Sequence, residues 1–197
     1  MWYSKSHMKG LLIDLSSDTA ILGLTEKDQI TKIQYLEGAK NLCSTFFPAL
    51  QAFSTLDDLT YIAVGTGPGS YMGIRTATTI AKTLSFATGL PLIEFCSILA
   101  FIPSPLEGSF VFVGDAKMGE LYIITGEALN GKIRSISKAR LISPQELDFY
   151  TENKDFIIGK NHLLPQIHLE WVSSYVFDQW VQGKTLESSE LQLHYLR

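Results

Sequence analysis

The sequence predicts an α/β protein of two lobes, each a run of short strands followed by alternating helix and strand. Three observations carry that expectation. Hydrophobic periodicity switches repeatedly between the alternation of strands and the i, i+3, i+4 pattern of helices. A break at Pro103-Ser104-Pro105 and Gly108 is followed by a second pass through the same order of elements. The length, 197 residues, suits one domain or two small lobes sharing a core.

The elements follow from local chemistry. Gly10–Asp14 is an apolar run and predicts a buried strand; Ser16-Ser17-Asp18-Thr19 is a turn cluster. Ala20–Thr25 and the alternating Gln29–Tyr35, separated by Glu26-Lys27-Asp28, complete an antiparallel meander. Ala39–Phe53 is helical, with Leu42, Phe46, Leu50 and Phe53 on one face; Pro48 predicts a kink or a new start. Tyr61–Gly65 predicts a strand, Gly67–Ser70 a glycine-rich turn, and Gly73–Thr88 a helix stopped by Gly89 and Pro91. Pro91–Phe95 adds a strand, followed by a short helix to Phe101.

Beyond the break, strands are expected at Phe110–Asp115, Glu120–Thr125 and Lys132–Lys138, turning at Met118-Gly119 and Asn130-Gly131. Ser143 and Pro144 open a short helix to Tyr150; Phe156–Gly159 is a strand and Val172–Gln182 an amphipathic helix. This plan, used twice without repeated sequence, matches the ribonuclease-H-like lobes of the actin/Hsp70/sugar-kinase (ASKHA) class, and the match is one of fold alone. The expected lobes are 8–103 and 104–197, the last helix being free to pack back on the first lobe. Ser6-His7-Met8 reads as a cloning remnant, which sets residues 1–7 apart as a tag or extension.

Composition narrows the function. Hydrophobic residues make up 46% and charged residues 18%, with net charge −4. The 16 Lys and Arg are scattered among 20 Asp and Glu, which disfavours a free-standing nucleic-acid binder but not a subunit that reaches RNA through a partner. No apolar run approaches the ~20 residues of a membrane span. Cys43 and Cys96 sit far apart in apolar contexts; buried free thiols fit a reducing, cytoplasmic setting better than a disulfide.

The segment Gly65-Thr66-Gly67-Pro68-Gly69-Ser70-Tyr71-Met72-Gly73-Ile74-Arg75 lies between a strand and a helix, where glycines and unpaired N–H groups could hold an anion. Its spacing matches neither the dinucleotide fingerprint nor the phosphate loop, so a tight turn capped by Ser70 competes with the anion site. The following helix carries few charges. Ile74, Ala77, Ala81 and Leu84 share one face, and Thr76, Ile80, Thr83 and Ala87 lie roughly opposite. Either the helix is buried inside its own lobe, or its second face is covered by another subunit, with Phe47 of the preceding helix alongside.

Independent chemistry is sparsely supported. His7, His162, His168 and His194 show no zinc-helix spacing, and no nucleophile elbow surrounds Ser70. Asp14 and Asp115 each follow a lobe's first strand, the position from which this fold class holds metal and phosphate. The turns Asp14-Leu15-Ser16-Ser17 and Asp115-Ala116-Lys117-Met118-Gly119-Glu120 lack the glycine-rich form that brings amides to a phosphate. Asp14, Asp115 and Gly119 therefore stand as candidates for a degenerate nucleotide site.

With these residues in view, the sequence resembles the TsaB (YeaZ) family of tRNA threonylcarbamoyladenosine biosynthesis. The family's Gly-Pro-Gly-Ser-Phe-Thr-Gly-Leu-Arg is matched by Gly67-Pro68-Gly69-Ser70-Tyr71-Met72-Gly73-Ile74-Arg75, and its Ala-Lys by Ala81-Lys82. Gly89-Leu90-Pro91-Leu92, Asp115-Ala116-Lys117-Met118-Gly119-Glu120-Leu121-Tyr122 and Tyr195-Leu196-Arg197 match further motifs. Departures are Leu15 for the threonine of Asp-Thr-Ser, and Leu42-Cys43-Ser44-Thr45-Phe46-Phe47-Pro48 for a helix that carries histidine in the family.

The resemblance implies a non-catalytic scaffold or activator, with no catalytic residue or metal of its own. It would pair with a TsaD-like paralogue through Leu42, Phe46, Phe47, Leu50, Phe53, Ile80, Thr83 and Ala87, and a TsaE-like ATPase would join them. A homodimer is expected when the partner is missing, tRNA contact is indirect, and ATP or ADP is expected only at an interface of the complex. The alternative is an ATP-dependent small-molecule kinase or ATPase of the same fold. A peptidase, an old label for relatives, finds no ligand or nucleophile set here.

Overall fold

A computed structural model describes residues 8–37, 42–53, 56–159 and 167–192. They divide into two units: residues up to Ser97 together with those from Val172 onward, and Ile98–Trp171.

The first unit is built on a five-stranded sheet in the order β3-β2-β1-β4-β5. Its strands are β1 (Lys9–Asp14), β2 (Thr19–Glu26), β3 (Gln29–Glu37), β4 (Tyr61–Gly65) and β5 (Leu92–Phe95). The meander β1–β3 is antiparallel, as expected, and β4 and β5 add in parallel. The near-continuous apolar runs of β1 and β4 have a simple cause: both strands are central and covered on both faces.

Helices α1 (Leu42–Phe53) and α2 (Tyr71–Thr88) enclose one core with Leu11, Ile13, Leu22, Ile62 and Val64. Pro48 lies inside α1, which runs on through it. Lys32 secures the end of α1, its Nζ donating to the Phe53 carbonyl at 2.9 Å and lying 4.5 Å over the Phe53 ring. Helix α4 (Glu170–Val181) returns to this unit from Val172 onward. Trp180 lies 5.4 Å from the Tyr61 ring, and Ser173 Oγ donates to the Asp28 carbonyl at 2.8 Å. Burial pushes the Tyr61 phenol up to about 12, against a smaller opposing effect of its 2.8 Å hydrogen bond with Thr25.

The second unit has a sheet in the order β10-β6-β7-β8, with β9 also on β7. Its strands are β6 (Gly108–Lys117), β7 (Glu120–Leu129), β8 (Lys132–Ile136), β9 (Arg140–Ile142) and β10 (Phe156–Gly159); α3 (Leu147–Thr151) follows a 3-10 turn begun at Pro144. Val111, Val113, Leu121, Ile123 and Ile142 form its core, flanked by Leu147, Tyr150 and Ile157. Asn130 and Gly131 take positive φ, as the hairpin requires, and their N–H groups donate to Glu107 at 2.9 and 3.0 Å.

Two expectations shift. The unit boundary falls after Ser97, ahead of the proline pair. The 98–103 segment belongs with the second unit because His168 N–H donates to the Ala100 carbonyl, Trp171 Nε1 donates to the Pro103 carbonyl, and Phe101 packs on Phe112. The expected strand 132–138 ends at Ile136 as β8, with an irregular register opposite Glu127 and Ala128, and β9 is a further strand that was not expected. The expected helix start at Ala39 and residues 1–7 lie outside the described residues.

Candidate functional site

The glycine loop joins β4 to α2, and its shape is dictated by the β1–β2 turn beneath it. A Cβ on Gly73 would strike the Leu15 carbonyl oxygen, and one on Gly69 the Ser16 carbonyl. Backbone lies against backbone there, so no side chain fits. Ser70 N–H donates to the Ser16 carbonyl at 2.6 Å, and Ser70 Oγ accepts from Gly73 N–H at 3.3 Å as the N-cap. The Ser70 and Gly73 N–H groups are thereby engaged by the chain itself, and the Gly67 N–H donates to Ser97 Oγ at 3.0 Å.

Asp14 sits at the centre of this junction with 4% of its surface exposed. Its Oδ1 accepts from Ser16 N–H at 2.7 Å, while its Oδ2 is buried without a hydrogen-bond partner among the described residues. Gly65 makes the room, because a Cβ there would overlap the carboxylate and approach Ser97 Oγ. Burial pushes the carboxyl above its usual range, against smaller opposing effects of Ser16 and Ser97.

This arrangement does not fit a nucleotide phosphate on the loop. Leu15 is in the core, the Ser70 and Gly73 N–H groups are engaged, and burial pushes the nearby carboxyl above its usual range. In the second unit Asp115, Gly119 and Glu120 are exposed at the β6–β7 turn. Tyr122 is half-buried, stacked 6.2 Å from Phe112 and lying across Gly114. Among the described residues, no three His, Cys, Asp or Glu side chains converge as metal ligands.

The helix residues separate cleanly. Phe46, Leu50, Phe53 and Ile80, expected at a partner interface, are buried in the first unit's own core. This corrects the expectation. The 46-50-53 stripe is the face of α1 that covers the sheet, and Ile80 joins Ala77 and Ala81 on the buried side of α2. Thr83, Ala87 and Phe47 are exposed. The Leu42 and Cys43 side chains, and Tyr195–Arg197, lie outside what is described. Cys96 is half-buried and forms no disulfide with the described residues.

The outward face of α2 carries Met72, Thr76, Thr79, Thr83, Phe86 and Ala87, and Phe86 is 85% exposed. Thr76, Thr79 and Thr83 hydroxyls each donate to the carbonyl four residues earlier at 2.8 Å. With these hydroxyls turned onto the backbone, the threonines present methyl groups. Arg75 and Lys82 mark the edge, Arg75 being held locally by a 3.3 Å hydrogen bond to the Tyr71 hydroxyl. The result is an uncharged, methyl-rich face with an aromatic at one end, cheap to desolvate. Phe86 and Met72 escaped the sequence reading; the available signal was a bulky apolar residue at a solvent-side helical position.

Three comparisons bear on this chain. The family model for TsaD, tRNA N6-adenosine threonylcarbamoyltransferase, matches residues 40–165. A stretch of 135 residues is 30% identical to tRNA threonylcarbamoyladenosine biosynthesis protein TsaB of Bacillus subtilis, covering 64% of this chain and 58% of that protein. A stretch of 84 residues is 32% identical to the protein of the same name from Haemophilus influenzae, covering 41% and 35%. The match therefore spans under two thirds of the length of these curated relatives. Among solved structures, YeaZ from Pseudomonas aeruginosa shares the fold with a TM-score of 0.77 at 17% identity, over 96% of this chain and all of that one.

Proposed function

The chain belongs to the TsaD family, on its TsaB (YeaZ) side, and from that premise we propose that it is a partner subunit in tRNA threonylcarbamoyladenosine modification rather than the transferase itself. It works by seating the outward face of α2 on a TsaD-like paralogue, with Phe47 of α1 beside it. The observation that carries this reading is the methyl-rich, uncharged face from Met72 to Ala87, ending in exposed Phe86. Burying such a face releases water from apolar surface without leaving hydroxyls unpaired.

The glycine loop supports the division of labour. It is packed by its own chain and unsuited to phosphate, which weighs against the alternative kinase or ATPase reading. Nucleotide, if required, enters at an interface of the complex, where a TsaE-like ATPase also docks. In the absence of the paralogue the same face supports a homodimer. Among the described residues no helix is long and apolar enough to cross a membrane, and a cytoplasmic site of action goes with the tRNA pathway.

The test is co-purification. Tagged chain is expected to retain the TsaD-like paralogue, and Phe86→Glu to lose it while melting as the parent does. Full retention by a folded Phe86→Glu variant would falsify the proposed face.

A further inference from the structure

The second unit carries a feature that the acidic overall balance conceals. Four of the chain's 16 Lys and Arg, namely Lys132, Arg134, Lys138 and Arg140, fall within one short stretch, and no Asp or Glu occurs from Asn130 to Gln145. All four are exposed.

The fold places them in one line. β8 pairs with β7 from Leu129 to Gly126, Ser137 continues through bonds to Thr125 of 2.8 and 3.0 Å, and β9 pairs from Ile123 to Leu121. The three pieces act as one interrupted strand along an edge of the sheet that no other described strand covers. From Lys132, opposite Leu129, to Arg140, opposite Ile123, that edge runs about 20 Å.

Charged side chains, Lys especially, are one device that guards a sheet edge against strand pairing. Here every charge on the edge is positive. Arg134 and Lys138 make no ion pair with the described residues. Of the flanking carboxylates, Glu107 accepts from Asn130 and Gly131, Glu146 accepts from Ser143 and feels Arg140, and Glu127 lies opposite Ser135. At the Arg140 end stands an aromatic. Phe149 is 77% exposed and packs edge-on against Tyr150 at 5.1 Å, and the Tyr150 hydroxyl accepts from Arg140 at 3.0 Å.

We infer that the β8–β9 edge is an RNA-contacting surface, its cations meeting the phosphate backbone and Phe149 offering a face on which a base stacks. This rests on the proposed place in tRNA modification, which selects RNA over other polyanions, and it replaces the expectation that tRNA contact is only indirect. Cationic edges lacking base-reading side chains bind backbone without sequence preference, so the surface orients tRNA while the paralogue reads the target nucleoside.

The experiment is a titration of unmodified tRNA transcript against the purified chain–paralogue complex over about 50 to 200 mM salt. Replacing Arg134 and Lys138 together by Ala should weaken binding and reduce the slope of log affinity against log salt by about 1.5 to 2. Phe149→Ala should weaken binding and leave the slope unchanged. An unchanged affinity and slope in the folded double variant would overturn the inference. So would loss of binding to phosphatidylserine vesicles with tRNA binding intact, since that assigns the edge to a lipid surface. If the parent chain does not associate with the paralogue, the functional reading falls, and the same titration on the chain alone still decides this surface.

Discussion

Replacing Asp14 by Asn should stabilise the protein near neutral pH. Asp14 is buried with one oxygen unpartnered among the described residues, and its carboxyl is pushed above its ordinary range chiefly by burial. A carboxyl whose folded value lies above its unfolded value favours the folded state while protonated. That advantage is present below the unfolded value, 3.8, and is lost as pH rises toward the folded one. At neutral pH the fold bears either an ionised carboxylate out of water or the free energy of keeping it protonated. Asn keeps the acceptor for Ser16 N–H and carries no charge, and its amide can face Ser97 Oγ. An unpaired buried polar atom costs about 1–3 kcal/mol, so a gain of about 1–2 kcal/mol is expected. For a chain of this length that raises the melting temperature by roughly 2–8 °C. Thermal unfolding of both proteins, followed by circular dichroism from about pH 4 to 8, provides the assay. The gap should be smallest at the acid end and widen with pH. A pH-independent difference, or an Asn variant less stable than the parent at neutral pH, would refute the argument.

Other predictions follow from the same contacts. Gly73→Ala should destabilise by about 1–3 kcal/mol, because its Cβ meets the Leu15 carbonyl; a neutral or stabilising result, as in an exposed helix, would show that the loop can separate from the β1–β2 turn. Lys32→Ala removes the hydrogen bond and ring contact at the end of α1 and should lower stability by about 1 kcal/mol in urea titration. Phe46→Ala should cost about 3–5 kcal/mol, whereas Phe47→Ala, at an exposed position, should leave the urea midpoint nearly unchanged and weaken association with the paralogue.

How far the sequence discloses the structure depends on the range of the interactions. The meander, helices α1 and α2 and the Asn130-Gly131 hairpin were legible because periodicity and turn chemistry are local signals. β9 was not, since the three residues Arg140–Ile142 are too few to show a period and are placed by nonlocal pairing with β7. The return of α4 to the first unit is written in nonlocal contacts such as Trp180 on Tyr61. At the site, the glycines announced close approach but not of what. The Leu15 and Ser16 backbone supplies the answer in place of an anion. Helical spacing grouped Thr83 and Ala87, which are exposed, on one face with Ile80, which is buried. A residue at the margin of two faces is decided by the neighbour packed against it, here the core around Ala77 and Ala81.

Reconstitution tests the central claim most directly. Threonylcarbamoyl transfer to tRNA is measured with the TsaD-like paralogue and its remaining partners, with and without this chain. Transfer should require the chain, be restored by the parent protein, and fail with Phe86→Glu. Transfer by the chain without the paralogue, or undiminished transfer in its absence, would contradict the account.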